Sequence, residues 1–127
     1  MILDTTILID FLRGEERAIR FVADHSPLWT TEVNVFELFV GAYLGGVVQK
    51  KKDNAGALIE RLIVLPLDRK ASIKAAELAS ELIKKGLTVE TADNLIAGIA
   101  LTNGITEIVT ANKSHFERFD ELKVISY

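Results

Sequence analysis

The chain has 127 residues, 49 % of them hydrophobic and 26 % charged, which suits a single globular domain large enough to bury a real core. It has no cysteine and only two histidines, which excludes disulfides and thiolate metal sites and argues against a zinc cluster. A net charge of −3 argues against a protein that wraps nucleic acid through general basicity, while leaving room for a local basic rim or for an acidic cluster that works through bound cations.

The opening residues, Met1-Ile2-Leu3, read as a strand ended by Asp4. They lack the basic start of a signal peptide, and no apolar run reaches transmembrane length, so a cytoplasmic location without membrane attachment is expected. Thr5 to Arg13 reads as a helix broken at Gly14, and Glu15 to Asp24 as a second with Ile19 and Val22 on one face. Leu28 to Thr30, after Pro27, is a short strand. Thr31 to Leu44 is helical and stops at Gly45-Gly46, and a further helix covers Val47 to Arg61. Leu62 to Leu65 is an apolar strand closed by Pro66.

The following helix has clear punctuation, with Asp68 at the N-cap and Lys84-Lys85-Gly86 at its end. Ala71, Ala75, Leu78, Ala79 and Leu82 follow its period. Thr91 to Asn103 is another helix, ending at Gly104, and Glu107 to Thr110 and Lys123 to Ser126 are the last strands. Short strands alternating with helices predict an α/β domain, residues 1–127, whose parallel sheet is covered by helices on both faces. Such sheets place their sites beyond the carboxyl ends of the strands.

Three carboxylates stand where carboxylates are costly. Asp4 ends the first strand, Glu37 interrupts Val35-Phe36-Glu37-Leu38-Phe39-Val40, and Asp93 shares a helix face with Ile96, Ala97 and Ala100. A lone ionised carboxylate in an apolar setting costs several kcal/mol, roughly, and three together repel. A bound divalent cation resolves both problems, and oxygen ligands without cysteine or clustered histidine favour Mg2+ or Mn2+. Each acid also has an ordinary alternative. Asp4 is suited to capping the next helix, Asp93 to a helix N-terminus, and Glu37 to a buried pair with a distant Lys or Arg. By default Asp10 is solvated, Glu90 caps, Lys50-Lys51-Lys52 form a solvated face, and His115 is an ordinary semi-buried residue with no assigned catalytic role. Leu38, Phe39, Tyr43 and Leu44 read as core rather than interface.

These residues resemble the PIN-domain family, especially its small VapC-type toxins, over the whole chain. Leu3-Asp4-Thr5-Thr6 resembles the family's strand-end Asp-Thr-Asn/Ser start, and Glu37 matches the family glutamate. Asp93-Asn94-Leu95-Ile96-Ala97-Gly98 resembles Asp-x-x-Ile-Ala-Ala, with Gly98 for the second alanine. Val109-Thr110-Ala111-Asn112, with His115-Phe116 after it, resembles the family's last motif, except that Asn112 and His115 stand where acids are usual.

The resemblance implies a three-layer fold with strand order 3-2-1-4-5, Asp4 and Asn112 facing each other at the switch point, a homodimer and a small antitoxin. The expected activity is a toxin endoribonuclease in which Asp4, Glu37, Asp93 and Asn112 hold Mg2+ or Mn2+. Water activated by the metal would cleave RNA, with support from Thr110 and Thr6 and phosphate contacts from Lys113 and Arg118. The departures at Asn112 and His115 keep open a catalytically weakened PIN-fold module that binds RNA or protein. A receiver-like phosphoacceptor fits poorly, because it needs an acidic pair at the first strand end and a lone Asp after a later strand.

Overall fold

The computed structural model describes residues 1–127. Five short parallel strands form one sheet in the order β3-β2-β1-β4-β5: β1 is Ile2–Leu3, β2 Trp29–Thr31, β3 Ile63–Leu65, β4 Glu107–Val109 and β5 Lys123–Ile125. The helices are α1 (Thr5–Leu12), α2 (Glu16–Asp24), α3 (Glu32–Leu44), α4 (Val48–Ile59), α5 (Arg69–Lys84), α6 (Thr91–Thr102) and α7 (Lys113–Phe116). The expected strand order and element sequence are present, with ends displaced by a residue or two. The exception is α7, a single turn that the pattern did not announce.

The sheet divides the core in two. Side chains alternate across a strand, and the central register sets Ile2 beside Ile108 and Leu3 beside Val109. Ile2 and Ile108 pack with Ala71, Leu78, Ile96, Ile99 and Phe116 from α5, α6 and α7. Leu3 and Val109 pack with Ile7, Leu8, Ala18, Ala55 and Leu58 from α1, α2 and α4. This is the three-layer arrangement, and it buries β1 and β4 on both faces.

Local signals fix the helices around that sheet. The Asp68 side chain accepts from the Ala71 N–H at 2.9 Å and starts α5. Thr31 and Asn34 form a reciprocal capping box that starts α3. The α5–α6 contact explains Gly98: a Cβ there would lie 2.6 Å from the Ala71 carbonyl oxygen and 2.8 Å from the Ala75 Cβ. The glycine thus lets α6 approach α5 closely where the motif otherwise carries alanine.

Two expectations need correction. Leu38 is core, but Tyr43 and Leu44 are 58 % and 83 % exposed because they lie on the outer face of α3 with Phe36. Asp10 is not simply solvated, since it accepts a hydrogen bond of 2.7 Å from the Tyr127 hydroxyl.

Candidate active site

Asp4 follows β1 directly, and its backbone N–H still donates to Val109 of β4, at 3.0 Å. The residue is 4 % exposed. Although it occupies the N-cap position of α1, its side chain makes no capping bond. The carboxylate is instead held from two sides. Thr110, just past β4, donates its hydroxyl to Oδ2 at 2.7 Å, and Thr6 donates to the same oxygen at 3.3 Å. Asn34 Nδ2 donates to Oδ1 at 3.2 Å.

Glu37 lies one helical turn beyond Asn34 on α3, and its Oε1 accepts from the Thr5 hydroxyl at 2.8 Å. Asp93 sits in the first turn of α6, where His115 Nδ1 donates to its Oδ2 at 2.9 Å. No Lys or Arg forms an ion pair with Asp4, Glu37 or Asp93.

The three acids lie near enough for their charges to act on one another. Burial pushes the Glu37 carboxyl up, the Thr5 hydrogen bond opposes this, and the charges of Asp4 and Asp93 push it further. Burial likewise raises Asp93, against the hydrogen bond and charge of His115, while Asp4 and Glu90 push it up. The like charges that bear on Glu37 and Asp93 therefore come from each other's neighbourhood, at one end of the sheet. Beside Asp93, the buried Asn94 donates Nδ2 to the Glu90 carbonyl at 3.0 Å and leaves its Oδ1 without a partner.

No three Asp, Glu or His groups close tightly around a single point. The chemistry of the donors, carboxylate oxygens with no Lys or Arg paired to them, is what fits a hard cation such as Mg2+.

The structure separates the other expected residues. Thr110 is buried against Asp4, and its Oγ1 also accepts from the Asn112 N–H at 3.0 Å. Thr6 accepts from the Ala111 N–H at 3.0 Å. Thr110, rather than Asn112, therefore meets Asp4 across the switch point. Asn112 is exposed at the start of α7 and its side chain makes no hydrogen bond. Lys113 is exposed and lines an open cleft with Asp10, Arg17, Thr110 and Tyr127. Arg118 donates to the Thr88 carbonyl rather than lying free for phosphate. Sequence reasoning missed Thr5 and Asn34, and gave His115 no partner. The capping spacing of Thr31 and Asn34 was the one available signal for Asn34.

A family profile for the PIN domain matches residues 1–122. The chain belongs to the PIN-domain family. Among curated relatives, the tRNA(fMet)-specific endonuclease VapC of Salmonella typhimurium is 30 % identical over 124 residues, 96 % of this PIN domain and 93 % of that protein. Ribonuclease VapC1 of Rickettsia felis is 26 % identical over 130 residues, covering 99 % and 95 %. The crystal structure of DNA-bound VapBC from Salmonella typhimurium contains a chain that superposes with a TM-score of 0.88 at 29 % identity, covering 98 % of this chain and 96 % of that one. Within the family, the likeness is thus to VapC-type toxins.

Proposed function

We propose that this PIN domain is a Mg2+- or Mn2+-dependent endoribonuclease, the toxin component of a type II toxin–antitoxin pair. The observation that carries this reading is the meeting of Asp4, Glu37 and Asp93, drawn from three elements, without a single Lys or Arg to balance them. The names of the VapC relatives, a tRNA-specific endonuclease and a ribonuclease, support RNA as the substrate class.

Asp4, Glu37 and Asp93 would hold the cation, with Asn112 as a further oxygen donor from the start of α7. When bound, the cation supplies an acidified water and neutralises charge that builds on the phosphodiester during in-line displacement. The chain's own contribution is orientation. Thr110 and Thr6 fix one face of the Asp4 carboxylate, Thr5 fixes Glu37, and His115 holds one oxygen of Asp93. Lys113 would offer an exposed positive charge to an RNA phosphate beside this end of the sheet, whereas Arg118 would have to release the Thr88 carbonyl to do so.

The likeness to chains solved within VapBC complexes supports a small antitoxin as partner, and such a partner would cover the site. The exposed Phe36, Val40, Tyr43 and Leu44 stripe on α3 supports a protein interface, a homodimer included. No helix is long and apolar enough to cross a membrane, in keeping with action in the cytoplasm.

A second reading, a catalytically weakened PIN-fold module that binds RNA or protein, draws on one observation: Asp93 is paired with the imidazole of His115, at a place where the family's last motif usually carries an acid. RNA cleavage with and without Mn2+, comparing wild type with Asp4→Asn, separates the two. Metal-dependent cleavage abolished by Asp4→Asn upholds the nuclease. RNA binding without metal binding or cleavage upholds the module.

A further inference from the structure

Asn34 is fully buried, yet it is an uncharged polar residue in a helix whose inner face is otherwise apolar. Burying an amide is costly unless its hydrogen-bonding capacity is met, and here it is met on both sides. Its Oδ1 accepts from the Thr31 hydroxyl at 2.7 Å and from the Thr31 N–H at 3.3 Å. These two donors fix which end of the amide is which, because a flipped side chain would aim its oxygen at a carboxylate and its NH2 at two donors.

With the amide so pinned, Nδ2 donates to Asp4 Oδ1 at 3.2 Å and to Thr5 Oγ1 at 3.0 Å. A hydroxyl has one proton. Since Thr5 Oγ1 accepts from Asn34, its proton is free to point elsewhere, and it goes to Glu37 Oε1 at 2.8 Å. One amide therefore orients two acids from different elements, Asp4 directly and Glu37 through Thr5. Asp93 lies outside this network and is held by His115.

We infer that Asn34 is a positioning residue of the active site, which sets the separation and facing of the Asp4 and Glu37 carboxylates before any cation arrives. The inference rests on the metal-nuclease reading of these acids. It divides the site into a pre-set half, Asp4 with Glu37, and an independent half, Asp93 with His115. Preorganisation of this kind raises affinity without adding a ligand, and loss of a residue that orients metal ligands typically costs about 10–100-fold in metal affinity.

The test uses the full chain and Mn2+ alone as the probe. Asn34→Leu keeps the side chain's shape and removes both donors. Mn2+ affinity is measured by calorimetry for the wild type, Asn34→Leu, Thr5→Val and the double variant. Side-chain carboxyl 13C resonances are recorded at one fixed pH without metal.

The expected results are a loss of Mn2+ affinity of about tenfold or more for Asn34→Leu, little further loss on adding Thr5→Val, and movement of the Asp4 and Glu37 resonances with Asp93 unmoved. Unchanged Mn2+ affinity with only a lower Tm, strictly additive losses, or movement of Asp4 alone would overturn the inference. Should Asn34→Leu fail to fold, Thr31→Val, which frees the amide to flip, takes its place with the same expected and contrary outcomes. If the wild type bound no Mn2+, the metal reading would fall, and the carboxyl resonances would still uphold or overturn the role of Asn34.

Discussion

The imidazole Nδ1 of His115 donates to Asp93 Oδ2 across 2.9 Å, joining α7 to the first turn of α6. This contact lowers the Asp93 pKa against the burial that raises it. Removing it has a definite sign. In His115→Ala the Asp93 carboxyl rises further, so its ionised form becomes available only at higher pH. The acidic limb of the pH–rate profile for Mn2+-dependent RNA cleavage should therefore move to higher pH, with the plateau reduced less than the acid-side rate. An unmoved limb would show that Asp93 is not the group whose ionisation limits the rate.

Glu37 presents the tension between stability and activity most directly. Its pKa is raised in the fold, so the folded state holds a proton that the unfolded chain gives up. That contribution is fully present below the ordinary glutamate range and is lost as pH rises through the raised value. Metal-free wild type should lose Tm on this account across mildly acidic pH, and Glu37→Gln should not. At neutral pH the Gln variant should melt at least as high as wild type while losing about a hundredfold or more in cleavage, the scale of a lost transition-state charge contact. Thermal melts from pH 4 to 8 beside cleavage rates check both halves.

Thr110→Val removes a hydrogen bond to a buried carboxylate while keeping the side chain's shape. Bonds to charged groups are worth about 2 kcal/mol, so a Tm drop of roughly 5–10 °C is expected. Asp4 would remain but turn more freely, and cleavage should fall about 10–100-fold. A variant with normal activity would show that Thr110 merely ends the strand.

Gly98→Ala tests the packing that carries Asp93. The added Cβ would meet the Ala71 carbonyl oxygen at 2.6 Å, and backbone cannot yield as a side-chain tip does. Overpacking of this kind costs about 1–3 kcal/mol, which a thermal melt would register as a lower Tm. Although the family motif admits alanine at this place, the close α5–α6 approach in this chain does not. An unchanged Tm would show that the helices can part.

Much of this arrangement was legible in the sequence, for reasons that differ by element. Asp68 and Gly86 bracket α5 with capping chemistry that acts locally, so its limits were readable. Ile2 and Leu3 form a strand of only two residues, but its apolar run and terminal Asp4 mark it as central. The three acids stood out because each interrupts an apolar pattern.

What stayed hidden depends on distance in the chain or on brevity. The four residues of α7 are too few to display a period. The partner of Asp93 lies 22 positions away, and the amide between Asp4 and Glu37 looked like an ordinary helix residue until the sheet brought Thr5 beside it. The direction of Arg118 was likewise a matter of packing, since charge alone does not say which oxygen a guanidinium will meet.

Asp4 and Thr110 touch although 106 positions separate them, because β1 and β4 are neighbours in the middle of the sheet. During synthesis Asp4 is therefore made long before the strand that completes its surroundings, and a polypeptide interrupted between the two lacks the hydroxyl that holds this carboxylate.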